Sequence, residues 1–119
     1  MTHDDAWTHV TRAYAQPGVA QELLRRQDEE GLDVVLHLFA QWAADRGTPL
    51  DDAALREAAA LVRPWRDQVV LPLRALRRAM KTMEFDAARR TPVRDQVQAA
   101  ELAAERAQLD TLCDWLASR

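Results

Sequence analysis

Val34-Val35-Leu36-His37-Leu38-Phe39-Ala40-Gln41-Trp42-Ala43 is the stretch that decides the fold. Only His37 and Gln41 interrupt a run that is apolar nearly all round. A helix of that kind is surrounded by other helices. Asp33 stands where a side-chain oxygen can cap the first turn, and Gly47 stands where a left-handed residue can end the last. The expectation is a central helix over 34–46, wrapped by its neighbours.

Composition agrees with that reading. The 119 residues include 22 Ala, 15 Leu and 9 Val but no Ile, and aromatic residues make up 6%. Ala and Leu lead the helix-propensity ranking, and so few β-branched and aromatic side chains leave little from which to build a sheet. The length suits one domain, 1–119. No uncharged apolar run approaches the ~18 residues of a membrane span. The acidic start, with Asp4 and Asp5, has no apolar stretch behind it, so no secretory signal is expected. Cys113 is the only cysteine, and no internal disulfide is possible. A cytoplasmic location is the expectation.

Outward from the central segment, the punctuation marks further helices. On the N-terminal side, Asp4 or Asp5 is placed to cap a helix carrying Trp7, Val10 and Tyr14. Pro17-Gly18 opens a second helix bearing Val19, Leu23, Leu24 and Gln27, which Gly31 stops. On the C-terminal side, Thr48-Pro49 turns the chain and Asp51 or Asp52 caps a helix with Leu55, Ala59 and Val62. Arg63-Pro64 reads as the next break. From Trp65 the stripe Trp65, Val69, Leu73, Leu76, Met80, Met83 keeps helical spacing across Pro72, which should kink or split the helix. Glu84 to Arg90 reads as a polar connection. Thr91-Pro92 then opens a last helix to about Ala117, ~38 Å long at ~1.5 Å per residue. For a domain with an expected radius of gyration of ~13–14 Å, that helix must cross the whole body or project from it. It carries two apolar tracks, Val93, Val97, Ala100, Ala104, Ala107 and Leu102, Leu109, Leu112, Leu116, with Glu101, Glu105 and Arg106 between them. The fold expected is all-α: a single-domain bundle of about six helices around the central one, with a long C-terminal helix.

Charge is segregated. Residues 1–62 carry a net −6, residues 63–94 a net +6 and residues 95–119 a net −3. The plain reading is that the basic middle lies beside the acidic ends; the sharper one is an anion-binding face.

The order of these residues is similar to a known pattern. Trp7, Tyr14, Pro17-Gly18-Val19, Leu24, Gln27-Asp28, Gly31, Asp33-Val34, Leu36, Leu38-Phe39 and Trp42 form its first half. Pro64-Trp65-Arg66, Pro72-Leu73-Arg74-Ala75-Leu76-Arg77-Arg78, Lys81, Glu101-Leu102 and Glu105 continue it. Over residues 6–116 the chain resembles a small proteobacterial family catalogued as a domain of unknown function. The resemblance implies a bacterial, mostly helical, single-domain protein and supplies no activity. One position departs: Val35 stands where the family pattern tends to place Asn after the Asp-Val pair.

Three constellations are candidates for function. Arg74, Arg77, Arg78 and Lys81 fall within about 100° of one another on a helical wheel. With Arg66 they form a basic stripe suited to phosphates or another small anion, or else a solvated face paired with the acidic helices. Gln27 and Asp28, at the end of helix two, suit a polar lock, because a buried amide must find partners. The aromatics Trp7, Tyr14, Trp42 and Trp65 are each expected on a buried face, as core or as the wall of a pocket. His37 has no His or Cys three or four residues away, and no metal site is expected. Neither a nucleophile motif nor a glycine-rich loop appears, so no catalytic residue and no cofactor is assigned. The leading expectation is a non-catalytic protein-interaction or adaptor domain, meeting a protein partner or a second copy through the C-terminal helix. The alternative is a binder of a small anionic ligand, or less readily of nucleic acid, through the basic stripe at residues 66–81. The adaptor reading rests on 34–44 being enclosed; an open side would favour a receptor or an enzyme.

Overall fold

A computed structural model describes residues 3–119. Its elements are α1 (His3–Ala15), α2 (Val19–Glu30), α3 (Val34–Asp45), α4 (Asp52–Trp65), a π-helical turn (Arg66–Val70), α5 (Leu71–Thr82) and α6 (Ala87–Ala117). The described residues contain no strand. Because α4, the π-turn and α5 follow without a gap, the chain makes five helical rods rather than the six expected.

Where boundaries depend on local chemistry, they fall as the residues dictate. Asp33 accepts from the Leu36 backbone N–H at 3.2 Å and starts α3; Asp51 accepts from that of Ala54 at 2.8 Å and starts α4. Gly31 ends α2 with φ +70°, a left-handed value that costs a side-chain-bearing residue far more. Asp4 and Asp5 lie in the first turn of α1, not at its cap, and the cap position falls outside the described residues.

Proline was over-read as a breaker. Pro64 lies inside α4, and Pro72 is tolerated near the start of α5. In the π-turn the Leu71 N–H reaches back five residues to the Arg66 carbonyl, and this wider turn makes room for the Pro72 ring. The last helix also begins a turn earlier than Thr91. Asp86 accepts from the Ala88 N–H at 3.2 Å, and Pro92 sits inside α6.

The π-turn has a larger consequence. One additional residue in a turn rotates the following helix face by about 100°. The stripe expected from Trp65 to Met83 is therefore not the buried face. Trp65, Leu76 and Met83 are exposed, Val69 and Leu73 are half-buried, and of the stripe only Met80 is buried, joined by Val70 from outside it. Arg66, Arg74 and Arg77 turn inward with Val70, which moves the basic stripe from the solvent into the body of the protein.

The core is shared between α3 and the C-terminal half of α6. Val34, Val35, Leu38, Phe39, Trp42 and Ala43 meet Leu109, Leu112 and Cys113, with Ala6 and Val10 of α1 and Ala58 and Val62 of α4 completing the cluster. Phe39 and Trp42 pack with ring centroids 6.0 Å apart and planes tilted by 35°. Thus α3 is not enclosed on every side: Gln41, Ala44 and Asp45 face solvent, and His37 is half-buried. His37, Gln41 and Asp45 border a groove of about 740 Å³ between α1, α2 and α3.

The molecule is elongated, with extents of 50 × 31 × 28 Å and a radius of gyration of 15.4 Å. The cause is α6, whose 31 residues span ~46 Å. Its first part, residues 87–100, contains no buried residue and forms an arm with α5. Among the described residues no helix is long and apolar enough to cross a membrane.

Candidate functional site

Where α1, α2, the π-turn, α5 and α6 converge, the helices bring polar side chains rather than apolar ones together. Asp33 is its anchor. The carboxylate that caps α3 also receives the Gln108 side-chain amide, at 3.1 Å on Oδ1 and 2.9 Å on Oδ2, and lies 3.6 Å from Arg66 Nε. Arg66 in turn donates to the carbonyls of Gly31, at 3.4 Å, and Leu32, at 3.1 Å. The loop that ends α2 and the cap that begins α3 are thereby tied to the π-turn and to α6.

Two turns along, Arg74 donates to Gln27 Oε1 at 2.9 Å and to Asp28 Oδ1 at 3.4 Å. Asp28 also receives Arg78 at 3.0 Å, nearer the surface. Arg77 donates through Nε and one terminal nitrogen to the two oxygens of Glu101, a bidentate pair in which the carboxylate side chain is only 7% exposed. That pairing holds the Arg77 guanidinium above its ordinary pKa, chiefly through the hydrogen bond.

Two groups at the centre lack such partners. Glu105 lies one turn beyond Glu101 and, among the described residues, has no hydrogen-bond partner. Burial, then the nearby Glu101 charge, pushes its carboxyl up to about 7, against the opposing pull of Arg74 and Arg77. The side chain of Gln108 uses its nitrogen on Asp33, while its Oε1 is buried with no partner. Both line a small chamber of about 30 Å³ together with Tyr14 and Arg74. Burial and then Glu105 also raise the Tyr14 hydroxyl. Glu105, Tyr14 and Arg74 in turn border an outer cleft of about 420 Å³, walled by Trp7, Val10, Leu24 and Leu102. The outer face of Trp7 carries the Arg106 guanidinium, 5.3 Å from the ring centroid.

The raised Glu105 carries a pH signature. The folded form holds a proton between the ordinary 4.5 and about 7 that the unfolded form has released, so this group's contribution to stability declines as pH rises through that window. The Glu105→Gln variant is expected to lose that slope and to exceed the parent by roughly 2–3 kcal/mol at pH 8. Urea titrations at pH 5 and pH 8 measure it; equal gaps at the two pH values would contradict the burial of this carboxyl.

Of the residues singled out from sequence, Arg66, Arg74, Arg77, Tyr14, Gln27 and Trp7 are brought together here, with Asp28 and Arg78 at the rim. Lys81 is exposed further along α5. Trp42 is in the core beside Phe39, bordering the α1–α3 groove. Trp65, expected on a buried face, is 42% exposed and donates from Nε1 to the Ala104 carbonyl at 2.9 Å. Sequence reasoning did not bring Asp33, Glu101, Glu105 and Gln108 into the site. Their signal is the spacing 101, 105, 108, a polar stripe at helical intervals on α6 that matches 66, 74, 77 across the hairpin. Cys113 is buried with its thiol pushed up to about 11, first by burial, which suits an unreactive core residue. Among the described residues no group of three or more His, Cys, Asp or Glu is placed to hold a metal ion.

No curated protein and no solved structure matches the chain. The family model described as a protein of unknown function (DUF2390) matches residues 5–112. That match extends from α1 almost to the end of α6 and takes in every side chain of the polar cluster, so the chain belongs to that family.

Proposed function

We propose that this is a non-catalytic interaction domain that grips its partner with the arm made by α5 and the first part of α6. The observation that supports it is a set of large apolar side chains left without cover: Leu76, Met83, Phe85 and Val93 are 46%, 46%, 60% and 53% exposed on that arm. Large side chains clustered on one projecting element are a hallmark of contact surfaces. The partner is a protein that presents an acidic amphipathic helix. Residues 76–97 hold six basic and three acidic side chains; with Arg77 and Arg78 facing Glu101 and Asp28, a smaller basic surplus at Lys81, Arg90 and Arg94 is left to disfavour a second arm and attract a helix flanked by Glu or Asp.

A labelled peptide with Leu at i, i+3, i+4 and i+7 and Glu on its flanks tests this by fluorescence anisotropy. Binding should weaken as salt rises. Met83→Glu combined with Phe85→Glu should cost at least about tenfold. Equal binding of a scrambled peptide of the same composition overturns the proposal. Light scattering that shows a dimer lost in the same double variant replaces the acidic helix with a second copy.

A small-ligand receptor is the second reading, favoured by the cleft above Tyr14 and Glu105 and by the open side of α3 at Gln41 and Ala44, which fails the enclosure on which the adaptor expectation from sequence rested. The alternative weighed from sequence, an anion held by the basic stripe, finds less support. Arg66, Arg74 and Arg77 already face Asp33, Asp28 and Glu101, and an anion would have to displace a carboxylate.

A further inference from the structure

We infer that the outer cleft and its inner chamber bind a small primary amine with an apolar body, the ammonium group set against Glu105 and the buried oxygen of Gln108. The inference rests on the receptor reading and deepens it by naming the ligand class.

The unmet hydrogen-bonding capacity of the site decides the chemistry. The donors of the cluster are committed: Arg66 to two carbonyls and Asp33, Arg74 to Gln27 and Asp28, Arg77 to Glu101. What is left over are acceptors. Gln108 is 1% exposed and its Oε1 has no partner; Glu105 lies in the wall shared by chamber and cleft and carries no hydrogen bond. Buried acceptors in that state call for a ligand that brings donors. An ammonium group offers three N–H donors, enough for Glu105, Gln108 Oε1 and the Tyr14 oxygen. The chamber, about 30 Å³, is the size of one such group, since a single water needs ~10–15 Å³ by the same measure.

Beyond the polar end the cleft is apolar. Trp7, Val10, Leu24 and Leu102 line about 420 Å³, which suits a short alkyl or aryl body. A carboxylate ligand of the same shape would meet Glu105 and Glu101 head on. An alcohol would leave the charge of Glu105 uncompensated.

A matched series on one six-carbon body tests this by isothermal titration calorimetry with the full chain at pH 8, where Glu105 is ionised: hexylammonium, hexanol and hexanoate. Hexylammonium should bind at least about tenfold more tightly than either of the others, since one charge-assisted hydrogen bond contributes roughly that much. Glu105→Gln keeps the shape of the side chain and should weaken hexylammonium by at least about tenfold. Leu102→Arg places a cation at the mouth of the cleft, at a position 54% exposed where the fold should tolerate it, and should weaken hexylammonium likewise. Hexanol or hexanoate binding as tightly as hexylammonium overturns the amine class and leaves a receptor of another specificity. Hexylammonium binding that is indifferent to Glu105→Gln overturns the placement. Absence of binding by all three overturns both the ligand class and the receptor reading.

Discussion

Trp42→Ala is expected to lose about 3–5 kcal/mol of stability, as large-to-small changes of buried aromatics do. The ring is 4% exposed, packed against Phe39 and with the Arg46 guanidinium over it, 5.6 Å from the centroid. It sits where α3 meets the rest of the core, and the neighbouring backbones belong to separate rods that cannot close over the gap together. Among the described residues its indole N–H has no partner, so removing the ring breaks no hydrogen bond and the cost is one of packing and of the Arg46 contact. Urea denaturation measures it. A loss under about 1 kcal/mol would place the core elsewhere than between α3 and α6.

A comparable loss is expected at the other pole of the molecule. Glu101→Ala leaves the Arg77 guanidinium, 21% exposed, facing a hole where its bidentate partner stood. Breaking a buried pair from one side costs roughly 3–5 kcal/mol, because the remaining charge has lost its solvation twice over. The contrast with the double change makes the prediction sharp. Arg77→Met together with Glu101→Leu removes both charges and fills the space, and it should cost much less than Glu101→Ala by itself. The cycle of two single variants and the double variant reads the coupling directly. Additive losses would mean that the two side chains do not depend on each other. Since Glu101 lies near Glu105, its loss should also let the Glu105 carboxyl fall toward its ordinary range, which the pH dependence of the same unfolding curves reports.

The two effects show which parts of the protein were legible in its residues. The run from Val34 to Ala43 announced a buried helix because periodicity and apolarity are properties of neighbours in sequence. Asp33, Asp51 and Gly31 announced its boundaries and those around it, since a cap acts within three residues. Family membership was legible for the same reason, in the order of Trp7, Tyr14, Gln27-Asp28 and Pro64-Trp65-Arg66. By contrast, the prolines misled. Pro64 and Pro72 lower helix propensity at their own positions, but a rod that packs along α6 keeps its hydrogen bonds by widening one turn.

From that one turn the rest of the site follows. Read as an unbroken α-helix, residues 65–83 put Trp65, Leu76 and Met83 inside and the arginines outside. The π-turn advances the phase of the helix that follows, and Arg74 and Arg77 swing in to join Arg66 on the inner side. Such burial is tolerable only because Glu101 and Asp33 stand opposite, the first 24 residues away along the chain and the second 33. Local sequence determined where helices start and stop and which central segment is apolar, because those depend on interactions a few residues long. Tertiary structure decided which face of each helix is inside, since charge can be buried only where a distant partner of opposite sign meets it.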